Sequence, residues 1–335
     1  MPLVSVLLPV RDMAQTLPAA VRTVLGELAA EDELILVDDR STDASRQVAE
    51  ELASSDLRIR IVEGPGEGIA RALNVGLEAC RGKYVARMDA DDESLPGRIR
   101  RSVEALEKDG WLAAVGTRVE IFRDDQPVSP NMQAYAGWLN SLCAPEAIFH
   151  DRYVESPLCH PATTIRLEAL KDAGSFSDGP FPEDYALWLE LLRRGHKLMN
   201  LPEVLFRGRD HEGRATRTND RYQPRRHLEL KADYLALEPV LRSGECGILG
   251  AGKSGLALSR ALRERGISTA FFVDVSPKKV GTRIEGAQVH GHEALTGPSG
   301  VHLLAAVGSK GGRAELRALL GARGYVEGHD FTCCA

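Results

Sequence analysis

Residues 3–92 alternate between short apolar, β-branched runs and stretches of helical period, and that alternation restricts the fold more than any other feature of the chain. "LVSVLLPV" has no polar face to spare, so it reads as a strand buried on both sides. "AQTLPAAVRTVLGELA" follows with helical spacing. "DELILVDDRSTD" is a second buried strand closed by acids and turn formers, and "ASRQVAEELASS" a second helix. "LRIRIVEG" is a third strand, "GPGEGIARALNVGLEACRG" a glycine-rich loop entering a helix, and "KYVARMDADD" a fourth strand. Strand and helix in strict turn predict a parallel sheet with helices on both faces. Such sheets bind ligands beyond the carboxyl ends of their strands. Asp38, Asp39, Asp89, Asp91 and Asp92 all fall at those ends.

A single acid at a strand end is ordinarily a solvated loop residue. Two acidic strand ends in one parallel sheet, "VDD" and "DADD", converge on one crevice, where like charges repel. Mg²⁺ or Mn²⁺, with hard oxygen ligands and a preference for phosphates, offsets such a cluster.

Further along, "LPGRIRRSVEALEKDG" predicts a helix and "WLAAVGTRVEIF" a strand, while residues 124–160 offer no readable pattern. "PEDYALWLELLRRG" is a helix ended by Gly195, and "HKLMNLPEVLFRGRDHEGRATRTND" a strand running into a basic loop with Arg207, Arg209, Arg214 and Arg217. "PRRHLELKADYLALEPVLRSG" reads as a linking helix. The pattern then restarts: "ECGILGAGKSGLALSRALRERG", "ISTAFFVDVSP", "VHLLAAVGS" and "GGRAELRALLGARG" make a second, small α/β unit. The expected organisation is a domain over 1–222, a helical linker over 223–244 and a second domain over 245–335.

Composition excludes several classes. With 43% hydrophobic residues the chain has enough for two cores, and a net charge of −6 gives no global basic field for nucleic acid. The six cysteines lack metal-ligand spacing and disulfide-scaffold density, so they read as reduced thiols. The N-terminal run lacks a basic start and a cleavage site, and no window approaches the roughly twenty apolar residues of a membrane span. The expected location is the cytoplasm.

In "SVLLPVRD", "LILVDDRSTD", "GIARALNVGLEACRGKYVARMDADDESLPGRI", "HPATTIR" and "FPEDYALWLELLRRG" the chain resembles, in order, the family 2 glycosyltransferases of the GT-A fold, over roughly residues 3–215. Arg11 and Asp12 stand where the family often has an aromatic and Asn. The fold implied is α/β, a doubly wound, mostly parallel sheet of the nucleotide-diphospho-sugar transferase type, followed by a small Rossmann-like domain. The resemblance implies transfer of a sugar from a nucleotide-diphosphate donor, UDP foremost, to an acceptor hydroxyl with inversion, in polysaccharide or glycoconjugate synthesis. Pro9, Asp38, Asp39, Arg71, Asp89 and Ala90 would contact the donor nucleotide. Asp89, Asp91 and His211 would hold Mn²⁺ or Mg²⁺. Asp184, or else Glu183, would be the general base, although acids opening a helix also serve as caps. His160 would lie on the acceptor side. The acceptor itself, whether glycan, lipid-linked sugar or small molecule, is open; a lipid-linked one would bring the chain to a membrane surface. A homo-oligomer is compatible with all of this.

"GILGAGKSG" satisfies two phosphate motifs. Gly247 to Ser254 fits the P-loop pattern, and Gly250, Gly252 and Gly255 fit the dinucleotide fingerprint, with Asp274 ending the next strand. The apolar strand "CGIL" precedes Gly250 rather than Gly247, which favours the fingerprint. Two readings compete with the transferase: an NAD(P)-binding oxidoreductase using this unit, and a sugar-nucleotide sensor without turnover.

Overall fold

The computed structural model describes residues 3–309 and 311–335; Met1 and Pro2, which start the N-terminal run, and Lys310 lie outside the described residues. The chain divides into two compact units, residues 1–149 with 157–218, and residues 150–156 with 219–335.

The first unit opens with β1 (Val4–Val10), α1 (Leu17–Leu25), β2 (Glu33–Asp38), α2 (Ser45–Ser55), β3 (Ile59–Glu63), α3 (Ile69–Ala79) and β4 (Tyr84–Arg87). It continues through β5 (Glu93–Ser94), α4 (Arg98–Lys108), β6 (Leu112–Phe122), α5 (Pro130–Ser141), α6 (Pro145–Asp151), β7 (Thr164–Arg166), α7 (Leu167–Asp172), α8 (Glu183–Arg193), β8 (Lys197–Arg209) and α9 (Ala215–Thr218). The strands form one sheet in the order β3-β2-β1-β4-β7-β6-β8-β5. β3, β2, β1 and β4 are parallel, β7 runs antiparallel between β4 and β6, and β8 is parallel to β6.

Every residue of β1 and β2 is buried, because helices cover both faces. Val6, Leu8, Leu34 and Leu36 pack into one core and Leu7, Ile35 and Val37 into the other. α3 lies so close to the sheet that a Cβ at Gly76 would stand 2.4 Å from Leu7 and 2.5 Å from Val37. Pro9 sits in a central strand, where a missing N–H is normally costly. β4 stops at Arg87, opposite Leu7, so Pro9 lies beyond the pairing on that side.

The stretch without a readable pattern holds α5 and α6; Ser129 caps α5, its Oγ accepting from the Met132 amide at 3.3 Å.

In the second unit, α10 (Pro224–Leu235) and a 3-10 turn at Pro239–Leu241 make up most of the stretch read as a linking helix, and Leu230, Ala232 and Leu235 are buried there. β9 (Glu245–Leu249), α11 (Lys253–Arg263), β10 (Ser268–Val273), β11 (Arg283–Ile284), β12 (Ala287–His290), β13 (Leu303–Ala305), α12 (Gly312–Ala322) and β14 (Phe331–Cys333) follow. Their sheet runs β11-β12-β10-β9-β13-β14, parallel except for the β11–β12 pair. Among the described residues no helix is long and apolar enough to cross a membrane.

Candidate active site

The site of the first unit forms where β1, β2 and β4 end. Asp38 and Asp39 are both buried there. Asp38 accepts from the Ser41 amide at 3.2 Å, and Asp39 accepts from the Gly66 amide at 2.6 Å, with Arg11 Nη1 3.9 Å from its other oxygen. Gly64 admits Asp39: a Cβ on it would stand 2.7 Å from the carboxylate. Asp12, in the left-handed region at φ 54°, accepts from the Thr42 amide at 2.6 Å and so ties the loop after β1 to the loop after β2. That bond lowers its pKa, with a smaller opposing effect of burial.

Beyond β4, one oxygen each of Asp89, Asp91 and Asp92 lies within 4.8 Å of the others. Asp89 Oδ1 accepts from Arg87 Nη2 at 2.6 Å. Asp91 Oδ2 lies 3.0 Å from His211 Nε2, so the chain brings together two of the residues assigned to a metal from the sequence. Asp92 is 2% exposed; its Oδ1 accepts from the Arg209 amide at 2.8 Å and its Oδ2 has no partner. Burial, then the charge of Asp89, raises the carboxyl of Asp91. Burial and the charges of Asp89 and Asp91 push Asp92 well above the carboxylate range, against the opposing charge of Arg214. Three crowded hard oxygen donors, with an orphaned buried oxygen on Asp92, fit a divalent cation of the Mg²⁺ or Mn²⁺ type. Ala90 is buried between the two outer acids of the motif.

Glu183 and Asp184 occupy the first turn of α8, Glu183 buried and Asp184 half-buried. Burial, with the charges of Asp92, Asp89 and Asp184, pushes the Cys159 thiol up to about 12 against the opposing charge of Arg214. His160 is buried, its ring 5.3 Å from Phe176 and edge-on to Trp188 at 5.8 Å. Burial and the Arg87 charge hold it neutral. Arg71 is exposed and bonded to Glu67 and, at 2.6 Å, to Asp178.

From sequence Asp92 belongs to the acid cluster without a role of its own, and Arg87 and Arg98 do not stand out. Arg98, entirely buried, donates to Ser94 Oγ at 2.7 Å, Arg87 O at 3.0 Å and Pro161 O at 3.2 Å. A signal for Arg87 existed: in "YVAR" it has the same parity as Val85, so a charge stands at an inward position of a buried strand.

In the second unit, Gly250 has φ 103° and a Cβ on Gly255 would stand 1.8 Å from Gly250 O, so both must be glycine. Gly252 precedes α11. Asp274 accepts from the Ala251 amide at 2.9 Å, the Ser276 amide at 2.8 Å and Lys279 Nζ at 2.9 Å. Both its oxygens are therefore engaged by the chain itself.

The sequence profile of glycosyl transferase family 2 matches residues 5–174. An uncharacterized glycosyltransferase of Haemophilus influenzae is 31% identical over 215 residues, 63% of this chain and 66% of its own. The putative glycosyltransferase EpsE of Bacillus subtilis is 30% identical over 259 residues, 72% of this chain and 89% of EpsE. The amylovoran biosynthesis glycosyltransferase AmsE of Erwinia amylovora is 31% identical over 181 residues, 53% of this chain and 64% of AmsE. The chain thus spans about two thirds of the length of the first and third of these relatives. Among solved structures, S. aureus TarS 1-349 in complex with UDP-GlcNAc superposes with TM-score 0.56 at 17% identity, over 79% of this chain and 71% of that one. The mannosyltransferase PcManGT of Pyrobaculum calidifontis, in complex with GDP-Man and Mn²⁺, gives 0.50 at 19% identity over 70% and 62%. Both share the α/β fold with its large, mainly parallel sheet. The chain belongs to glycosyl transferase family 2, and its first unit is a glycosyltransferase domain of the GT-A fold.

Proposed function

We propose that the protein is an inverting, metal-dependent glycosyltransferase. It moves a sugar from a nucleotide-diphosphate donor, a UDP-sugar foremost, to a hydroxyl of a glycan or glycoconjugate acceptor. The observation that carries this is the partly buried acid cluster at the strand ends, whose repulsion and raised carboxyls on Asp91 and Asp92 call for a cation. Asp89, Asp91 and His211 would hold Mn²⁺ or Mg²⁺. When bound, the ion neutralises charge developing on the diphosphate leaving group. Asp38 and Asp39 accept hydrogen bonds from the base and ribose, and Pro9, Ala90 and Arg71 line the same donor site. Asp184, in the first turn of α8, takes the proton from the acceptor hydroxyl as it attacks, with Glu183 as the alternative base and His160 on the acceptor side. The name of AmsE supports a polysaccharide acceptor, and the donors in the titles of the TarS and PcManGT structures support a nucleotide sugar.

Residues 1–222 would be the catalytic domain, and residues 245–335 a Rossmann-like binding or regulatory domain reached through 223–244. Gly250, Gly252, Gly255 and Asp274 would form its nucleotide site. The chain would work in the cytoplasm.

The test is incubation with a panel of nucleotide sugars, Mn²⁺ and candidate acceptors, with the product's anomeric configuration read by proton NMR. Product of inverted configuration, lost in Asp184→Asn, is expected. Retention of configuration, or full turnover in Asp184→Asn, would reject this mechanism.

A further inference from the structure

Three buried side-chain nitrogens in the first unit have no hydrogen-bond partner: Arg87 Nε, His160 Nε2 and Trp188 Nε1. They come from three elements of the first unit. Arg87 ends β4, His160 opens the turn before β7, and Trp188 lies on α8. The first two are tied together by backbone. The Arg87 amide donates to Thr163 O at 2.8 Å, and Arg98 Nη1 bridges Arg87 O at 3.0 Å and Pro161 O at 3.2 Å. The third is placed by the ring contact, His160 meeting Trp188 edge-on at 5.8 Å. Arg87 is 2% exposed, and its other two nitrogens are committed: Nη2 to Asp89 at 2.6 Å and Nη1 to Met88 O.

A buried guanidinium bonded to a half-exposed carboxylate fixes that carboxylate's pose, because Arg presents a rigid planar fork. Leaving three buried polar atoms bare is unfavourable, because each has lost its hydrogen bonds to water without gaining another. A single water lodged among them would accept from Arg87 Nε–H and Trp188 Nε1–H and donate to His160 Nε2, within the two to four bonds usual for a buried water. His160 is suited to accept because it is held neutral. Trp188 follows Asp184 by four residues, so both lie on one face of α8.

We propose that Arg87 is a positioning residue of the donor site, setting the pose of the Asp89 carboxylate, and that His160 and Trp188 hold Arg87 in turn through a shared buried water. The consequence is a polar connection from the acid that would face the metal to the helix that carries Asp184. The metal half of this rests on the functional reading above; the water does not.

Two measurements on the full chain test it. A high-resolution crystal structure is expected to show a water within hydrogen-bond distance of all three nitrogens, whatever the site binds; a dry contact there overturns the shared-water link. Mn²⁺ binding in the presence of UDP, read by the loss of the free-ion EPR signal, tests the positioning. Arg87→Met is expected to weaken it about tenfold, the lower end for loss of a group that orients a ligand. Arg87→Lys keeps the charge but loses the fork, and is expected to weaken binding as well. Trp188→Phe deletes one N–H and keeps the ring. It should weaken binding about threefold by itself, as expected for one lost hydrogen bond, and add nothing to Arg87→Lys. Mn²⁺ binding equal to or tighter than wild type in Arg87→Met would make Arg87 a counter-charge only, and additive effects would break the link to Trp188. Failure of the wild type to bind Mn²⁺ with UDP would count against the functional reading and, with it, against the metal role of Arg87, while the water remains decided by the crystal structure.

Discussion

Asp92→Asn isolates the cost of the third acid. The substitution keeps the shape and an oxygen to accept from the Arg209 amide, and removes one buried charge. At 4.8 Å, two unit charges at an effective dielectric of about 20 repel by roughly 3.5 kcal/mol. Asp89 and Asp91 together therefore put the gross repulsion at about 7 kcal/mol or more, since the oxygens lie within that distance. Arg87, Arg214 and the Arg209 amide offset part of it, and protonation of Asp92 gives the fold a cheaper escape. A net cost of about 1–2 kcal/mol is the expected residue of these opposing effects. The metal-free variant should thus melt roughly 2–8 °C higher at pH 7.5 by calorimetry, at about 2–4 °C per kcal/mol for a unit of this size. The pH dependence follows in sign. Burial and like charge raise the carboxyls of Asp91 and Asp92 in the fold, so no penalty exists below about pH 4, where both folded and unfolded chains are protonated. The penalty grows as pH rises from there through the raised values, and Asp92→Asn should flatten that decline. With Mn²⁺ and UDP the order should reverse, because the variant gains less from the ion. A metal-free variant that melts lower than wild type at pH 7.5 would refute the repulsion argument.

Other substitutions test separate parts. Asp184→Asn should cut turnover about a thousandfold, within the range for a lost general base, while UDP binding by calorimetric titration stays unchanged; Glu183→Gln should cost far less. Gly76→Ala drives a methyl into Leu7 and Val37 and should destabilise the first unit by about 2 kcal/mol in urea unfolding. In the second unit, Arg317 bonds both Asp151 and Glu327, and Arg317→Met should lower its stability by about 2 kcal/mol by removing the cation the two acids share, with Arg313 still 3.7 Å from Asp151.

The first four strands are legible because each is buried on both faces, so its apolar run is unbroken and its end is marked by acids. α5 was not legible: Ala134, Ala136 and Gly137 spread around the helix and blur the stripe of Met132, Tyr135, Trp138 and Leu139, and only the Ser129–Pro130 start was written locally. β7 is three residues long and owes its place to pairing with β4 and β6, a long-range fact that no local pattern carries. The acids of the site were legible one by one. Their inequality was not, since Asp92 is buried by the Arg209 segment, 117 residues away in sequence. His160 reads as a lone histidine in sequence and becomes a buried, neutral ring only through Phe176 and Trp188.

The measurement that tests the central claim most directly is a thermal-shift titration of the full chain against UDP, GDP, dTDP and NAD⁺, each with and without Mn²⁺. A ligand that binds only the folded state raises the midpoint by mass action. A nucleoside diphosphate that stabilises only with Mn²⁺, an effect lost in Asp91→Ala, is the predicted result. Stabilisation by NAD⁺ alone, indifferent to metal, would contradict the account and move the working site to the glycine turn after β9.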